Sequence, residues 1–165
     1  QQGEIRVRGP QVMQGYLNHP EASAAAIDAE GWLRTGDIGY ADEDGYFYIV
    51  DRAKELIKYK GFQVAPAELE AVLLKHPAIV EAAVIPSPDE AAGEVPKAFV
   101  VLRGEITPEE IMAYIAERVA PHKKIRRVEI IEEIPKSLTG KLLRRVLIER
   151  ERQTMEAMVG DGWPQ

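Results

Sequence analysis

Asp51-Arg52-Ala53-Lys54-Glu55-Leu56-Ile57-Lys58-Tyr59-Lys60-Gly61-Phe62-Gln63-Val64-Ala65-Pro66-Ala67-Glu68-Leu69-Glu70 is the stretch at which the chain changes character. Residues 55–60 read as a short strand, and the alternate spacing of Arg52, Lys54, Lys58 and Lys60 puts four cations on one face of an extended segment. Cations in such a row repel one another, so they need either solvent or an anionic partner. Gly61, directly after them, lets a ligand or another backbone come close. Pro66 stands where a first helical residue belongs, ahead of Leu69, Val72 and Leu73 at helical spacing, and His76-Pro77 stops that helix. On these residues alone two readings stay open: a charged edge strand that resists aggregation, or a surface for an anion.

Downstream, strands and helices alternate. Residues 79–85 and 95–102 are apolar, β-branched runs suited to buried strands. Thr107-Pro108-Glu109-Glu110 has the residues of a capping box, with Ile111, Ile115 and Val119 as an apolar stripe behind it. Residues 128–131 make a further strand. A last helix is predicted from near Leu142, with Leu143, Val146 and Leu147 on one face, fraying before Gly160. Upstream, Ile5 and Val7 alternate with Glu4, Arg6 and Arg8 in a half-buried strand closed by Gly9-Pro10. A short helix is predicted after Pro20, from Glu21 to Ile27. Asp42-Glu43-Asp44-Gly45 is a turn signal before the β-forming run 46–50, which predicts a hairpin. The fold class is therefore α+β: a small mixed-sheet domain with helices packed on it, preceded by a β-rich piece with too few apolar residues for a core of its own. The expected boundaries are 1–50, a short hinge at 51–54, a domain at 55–150 and a tail at 151–165.

The 165 residues carry 21 basic and 27 acidic side chains, a net charge of −6, with 45% hydrophobic residues, the composition of a globular chain rather than a disordered one. There is no cysteine, which excludes disulfides, thiolate zinc sites and cysteine nucleophiles. No metal-ligand cluster is evident in the sequence. No apolar run approaches the roughly 18 residues of a transmembrane helix, the N-terminal residues do not read as a secretory signal, and a cytoplasmic location is the expectation. The chain does not begin with Met, and its start reads as that of an excised fragment. The last 45 residues hold ten basic and seven acidic side chains on an otherwise acidic chain, which suits contact with an anion or a solvated helix face. Nucleic-acid binding through His122-Lys123-Lys124-Ile125-Arg126-Arg127 is disfavoured, because no stacking aromatics interleave the basic residues.

Two further segments are poorly explained by folding alone. Thr35-Gly36-Asp37 reads as a small polar turn after Trp32 and Leu33; its carboxylate could accept two hydrogen bonds from a vicinal diol such as ribose, or simply cap the turn. Pro135-Lys136-Ser137-Leu138-Thr139-Gly140-Lys141-Leu142-Leu143-Arg144-Arg145 is a loop bracketed by Pro135 and Gly140 that leads into an amphipathic helix. A Walker phosphate loop would need a glycine where Pro135 stands and Ser or Thr where Leu142 stands. A lysine at the end of such a loop can still neutralise charge on a carboxylate and a phosphate during reaction. Trp32, Tyr46 and Tyr48 are expected in core or edge packing, and Arg144 and Arg145 are expected to face solvent.

Taken in order, these segments resemble the adenylate-forming superfamily of acyl-CoA synthetases, luciferase and adenylation domains. Residues 3–16 resemble its glycine- and tyrosine-bearing strand motif, residues 31–39 its ribose-binding motif, residues 51–68 its hinge motif and residues 135–145 its catalytic-lysine motif. Residues 55–70 look most like the branch of luciferase, 4-coumarate:CoA ligases and fatty-acid:CoA ligases.

The resemblance implies a two-step ATP-dependent ligation in which an acid becomes an acyl-adenylate and is then transferred to CoA. Asp37 would bind the ribose hydroxyls, Arg52 would assist at ribose and phosphate, and Lys141 would bridge acid and α-phosphate. Lys54 takes the hinge position, and Lys58, Gly61 and Gln63 would replace Lys141 for the CoA step. ATP, CoA and a carboxylic acid are the implied substrates; Mg2+ would accompany ATP, with no ligand assigned here. A medium or long fatty acid is the first expectation for the acid and an aryl acid the second. The phosphate loop and acid pocket of the family have no counterpart in these residues, so the chain is expected to be the C-terminal part of a larger ligase, inactive alone, with the large N-terminal domain as its partner. A regulatory module that binds nucleotide or CoA without catalysis is the rival reading.

Overall fold

In the computed structural model, residues 2–160 are described. The chain divides into two compact units, Gln1–Lys54 and Glu55–Gln165.

The first unit is a three-stranded antiparallel sheet in the order β1-β2-β3, formed by β1 (Gly3–Val7), β2 (Leu33–Ala41) and β3 (Phe47–Arg52), with the short helix α1 (Pro20–Ala26) before β2. The β2–β3 turn is where the acidic run predicts it: Asp42 Oδ1 accepts the backbone N–H groups of Asp44 and Tyr46 at 3.1 and 2.9 Å. Among the described residues, all the buried hydrophobic side chains belong to the second unit, as the sparse apolar content of the first fifty residues requires. Tyr48 stacks on Tyr40 at 5.1 Å, and both are exposed on the strands rather than buried; Tyr46 is more exposed still. Trp32 is half-buried beneath the Arg8 guanidinium.

The second unit is a mixed five-stranded sheet. Its path is β5-β4-β7-β6, with β8 pairing in parallel to β7; the strands are β4 (Ile57–Tyr59), β5 (Phe62–Val64), β6 (Ile79–Asp89), β7 (Gly93–Leu102) and β8 (Arg127–Ile130). Alternation along β6 and β7 sends Ala82, Val84, Ala98 and Val100 to one face, where they join Leu69 and Leu73 of α2 (Pro66–Leu73) and Ile111 and Ile115 of α3 (Pro108–Ala116). Ala83, Ile85 and Phe99 face the other side, against Leu147 of α4 (Arg144–Gly160) and against Ile134, which lies in the loop segment before that helix. Both sheet faces are covered, which is why these strands are continuous apolar runs instead of alternating ones. The capping box of α3 is present: Glu110 N–H donates to Thr107 Oγ1 and Thr107 N–H to the Glu110 carboxylate.

One local expectation changes. The row of Arg52, Lys54, Lys58 and Lys60 on a single extended face does not form: Arg52 ends β3, a turn intervenes, and Lys60 takes a left-handed φ of 47°. Asp51 and Arg52, within the expected hinge, are the last residues of β3, and residues 53–56 connect β3 to β4. The last helix runs on through residues 151–160, as its apolar spacing predicts, and Glu151 there is buried; residues 161–165 lie outside the described residues. No helix among the described residues is long and apolar enough to cross a membrane.

Candidate functional site

In the first unit, Thr35-Gly36-Asp37 is a bulge inside β2 rather than a free turn. Glu4 pairs with Ile38 and Arg6 with Arg34, so the single residue Ile5 faces three residues of β2. Thr35 closes the bulge from both sides: its hydroxyl donates to the Ile5 carbonyl at 2.8 Å and accepts the Asp37 N–H at 3.0 Å. The Gly36 carbonyl accepts the Ala53 N–H at 2.8 Å. Gly36 has φ 74° and open space where a Cβ would stand, so glycine is needed for the backbone conformation, not for room. On the other side of β2, a register shift between Ile38↔Asp51 and Gly39↔Ile49 leaves Val50 as an extra residue of β3 and sets Asp37 directly across from Arg52, with Arg52 Nε 3.4 Å from Asp37 Oδ1 and the two side chains 62% and 31% exposed. An ion pair this exposed contributes little to folding. What it does provide is a carboxylate acceptor beside a guanidinium, on a strand end open to solvent.

In the second unit, Lys58 and Gln63 are cross-strand partners in the β4–β5 hairpin, flanked by Ile57↔Val64 and Tyr59↔Phe62. Ile57 and Val64 are fully buried, which fastens the hairpin to the core, while the period of two turns Lys58 and Gln63 outward together. Lys60 and Gly61, both at positive φ, make the two-residue turn. Lys60 N–H donates to the Ala92 carbonyl at 3.0 Å and Lys58 N–H to Glu94 Oε2 at 2.7 Å, tying the hairpin to the β6–β7 connection and the start of β7. No atom lies within 4 Å of a Cβ built on Gly61, so the space over this turn is open.

Lys141 belongs to a second, separate hairpin. Lys136 and Leu142 form an antiparallel bridge, Ser137 N–H donates to the Lys141 carbonyl at 2.8 Å, and Gly140 N–H returns to the Ser137 carbonyl at 2.9 Å. The Ser137 hydroxyl accepts the Lys141 N–H at 3.1 Å and lies 2.9 Å from the Thr139 hydroxyl. Leu143 N–H donates to the Pro135 carbonyl, and Lys136 Nζ pairs with Glu81 Oε1 of β6 at 2.6 Å. The Pro, Ser, Thr and Gly of this segment thus build a small, internally bonded hairpin that presents Lys141 exposed near its tip.

Arg144 is where the sequence reading fails. Instead of facing solvent it bridges two carboxylates, donating to Glu55 and, at 2.8 and 2.7 Å, to both oxygens of Glu70. Glu70 Oε1 also accepts the Val84 N–H at 2.8 Å. A signal was present in the sequence: a cation in the first turn of a helix meets the positive end of the helix dipole and calls for a partner.

A further cluster that the sequence did not reveal surrounds Lys97. This buried lysine pairs with Glu151 and, at 2.8 Å, with Glu129; Ser87 donates to Glu151 and accepts from Arg127. Burial raises the Glu151 pKa, but the hydrogen bonds from Lys97 and Ser87 and the charges of Lys97 and Arg127 outweigh it and hold the carboxyl below its usual value. Several of the basic residues that make the C-terminal segment positive are thus paired internally: Arg127, Lys136, Arg144 and Arg150 all have carboxylate partners. No group of three or more His, Asp or Glu side chains suited to a metal ion occurs among the described residues.

Residues 68–141 match the family model described as AMP-binding enzyme C-terminal domain. The 4-coumarate–CoA ligase of Pinus taeda is 58% identical over 150 residues, which is 91% of this chain but 28% of that protein. Among solved structures, ATP-bound MatB from Rhodopseudomonas palustris superposes with a TM-score of 0.86 at 33% identity, over 91% of this chain and 30% of that one. The o-succinylbenzoate CoA synthetase MenE of Bacillus subtilis, in complex with the acyl-adenylate intermediate OSB-AMP, gives a TM-score of 0.82 at 41% identity, over 89% and 30%. The chain thus spans less than a third of the length of each.

Proposed function

We propose, from the match of residues 68–141 to the AMP-binding enzyme C-terminal domain and the 58% identity to a 4-coumarate–CoA ligase, that the chain is the C-terminal part of an ATP-dependent acid:CoA ligase. The observation that carries this reading is Lys141, exposed near the tip of a hairpin whose every turn is internally hydrogen-bonded. A lysine held this way keeps its ammonium available for a partner outside the unit while the backbone beneath it stays fixed, which is the preorganisation that transition-state charge requires. Similar solved structures hold ATP in one case and an acyl-adenylate in the other, which supports the same chemistry.

In the first step a carboxylate oxygen attacks the α-phosphorus of ATP, the bond to the β-phosphate oxygen breaks, and pyrophosphate leaves. Lys141 bridges the acid oxygen and the α-phosphate as negative charge gathers there. Asp37 accepts the ribose hydroxyls and Arg52, beside it, holds its orientation and faces the phosphate. In the second step the CoA sulfur, having lost its proton, attacks the acyl carbonyl and AMP leaves. A rotation at Lys54 removes Lys141 and brings in the Lys58–Gln63 pair, with the open space over Gly61 admitting the thiol arm. The large domain that would complete the site with a phosphate loop and an acid pocket is the partner this reading requires, and the 165-residue chain alone is inactive.

Fatty acids were the first expectation for the acid. The 58% identity to a 4-coumarate ligase shifts the choice to the second, an aryl acid. The test is acid-dependent exchange of labelled pyrophosphate into ATP by the full-length protein, across aryl and fatty acids. Exchange with aryl acids supports the reading; exchange with none of them, alongside retained nucleotide binding, favours a regulatory module.

A further inference from the structure

Resting on the function just proposed, we propose that Arg144 is the positioning residue for Lys141: it locks the point where the chain enters the second unit to the base of the lysine hairpin, so that hinge exit and hairpin move as one body. Glu55 is the first residue after Lys54, and Arg144 is the first residue of α4, three positions beyond Lys141. One guanidinium joins them, with its second amino group on both oxygens of Glu70. Glu70 in turn holds the Val84 N–H of β6 at 2.8 Å, and Lys136, at the other end of the hairpin, is fixed to Glu81 of the same strand. The lysine hairpin is therefore anchored at both feet by charge, and one foot is shared with the hinge exit.

Helix stability does not explain this arrangement, because a cation at a helix N-terminus opposes the helix dipole. Nor does an ordinary surface pair, since the Arg144 and Glu70 side chains are only 21% and 13% exposed and the guanidinium serves two carboxylates from different elements. The other hairpin is held differently. Lys58 and Gln63 are fastened through Ile57 and Val64, fully buried apolar residues with no need of Arg144. The two half-reactions must consequently differ in their dependence on it.

The test uses the full-length protein with four variants: Arg144→Ala, Glu55→Gln, Lys141→Ala and Leu147→Ala. Leu147 is fully buried on the same helix about one turn on, so its truncation loosens α4 without touching the clamp. Arg144→Ala and Glu55→Gln are expected to lower the kcat of acyl-adenylate formation by about 10- to 100-fold, the cost of a misplaced catalytic group. KM for ATP and acid stays close to that of the parent, as does thioester formation from supplied acyl-adenylate. Leu147→Ala lowers the melting temperature and slows both steps in equal proportion. Amide exchange at Lys141 and Leu143 speeds up in Arg144→Ala and Glu55→Gln. Should Arg144→Ala fail to fold, Glu55→Gln alone decides. If Lys141→Ala abolishes adenylation while the clamp variants leave it intact, or slow both steps equally, the positioning role is wrong. If Lys141→Ala itself spares adenylation, the functional reading fails and this inference with it.

Discussion

Asp37, the last residue of the β2 bulge opposite Ile5, is the direct partner of Arg52 across β2 and β3, their charged groups 3.4 Å apart. The pair is too exposed to contribute much more than about 1 kcal/mol to folding. Its loss should therefore be felt by the nucleotide and not by the fold. Asp37→Ala in the full-length protein is expected to raise KM for ATP by about ten- to a hundred-fold, the worth of hydrogen bonds to a charged group at roughly 1.5–3 kcal/mol. The melting temperature should stay nearly constant. A large drop in melting temperature with unchanged KM would make Asp37 a structural residue.

Gly36 reports on the backbone of the same bulge. With φ at 74° and nothing near a prospective Cβ, Gly36→Ala meets conformational strain and no clash. Its cost should be about 1–2 kcal/mol, and Gly36→Asn should cost less because asparagine tolerates this region better. Chemical denaturation of the three proteins measures the ranking; equal stability of all three would show that the bulge relaxes.

The Lys97–Glu151 pair sets a pH dependence. Glu151 has its pKa lowered in the folded state, so the stability it contributes is complete above the unfolded carboxylate value and is lost as pH falls through the folded one. Glu110 adds to the same acid limb, its carboxyl held low first by the Thr107 backbone N–H and then by the Thr107 hydroxyl. Glu151→Gln should flatten the loss of stability below the usual carboxylate range. At neutral pH it should cost about 1.5–3 kcal/mol, the scale of a hydrogen bond to a charged group, because Lys97 loses its closest partner but keeps Glu129. Parallel melting curves against pH for parent and variant would contradict this.

Gly61→Leu places a branched side chain in the open space over the β4–β5 turn, at φ 84°. The rate of thioester formation from supplied acyl-adenylate is expected to fall by 1–2 orders of magnitude, as for a misplaced reacting group, while acyl-adenylate formation is spared. Stopped assays of the separate half-reactions read this directly, and an unimpaired thioester step would remove Gly61 from the CoA path.

How much of this could be read beforehand follows the range of the interactions involved. The capping box at Thr107, the β6 and β7 strands, the Asp42 turn and the Pro66 helix start are governed by residues a few positions apart, and spacing alone revealed them. Asp37, Lys58, Gly61, Gln63 and Lys141 were picked out by local motif, and the structure gives each a distinct setting. Arg144 and Glu151 were missed because their partners lie 89 and 54 positions away, at Glu55 and Lys97. A charge on a helix reads as solvated until the fold brings a carboxylate to it. The row of cations from Arg52 to Lys60 failed for the opposite reason: periodicity was extended across Ala53 and Lys54, where the chain turns between its two units.

The most direct test of the central claim is Lys141→Ala in the full-length protein, with the two half-reactions followed separately. Acyl-adenylate formation, measured by pyrophosphate release in the absence of CoA, should fall by about 100-fold or more, the scale of losing a preorganised charge partner in the transition state. Thioester formation from supplied acyl-adenylate should persist near the parent rate. Equal loss of both steps, or adenylation that continues undiminished, would contradict the account.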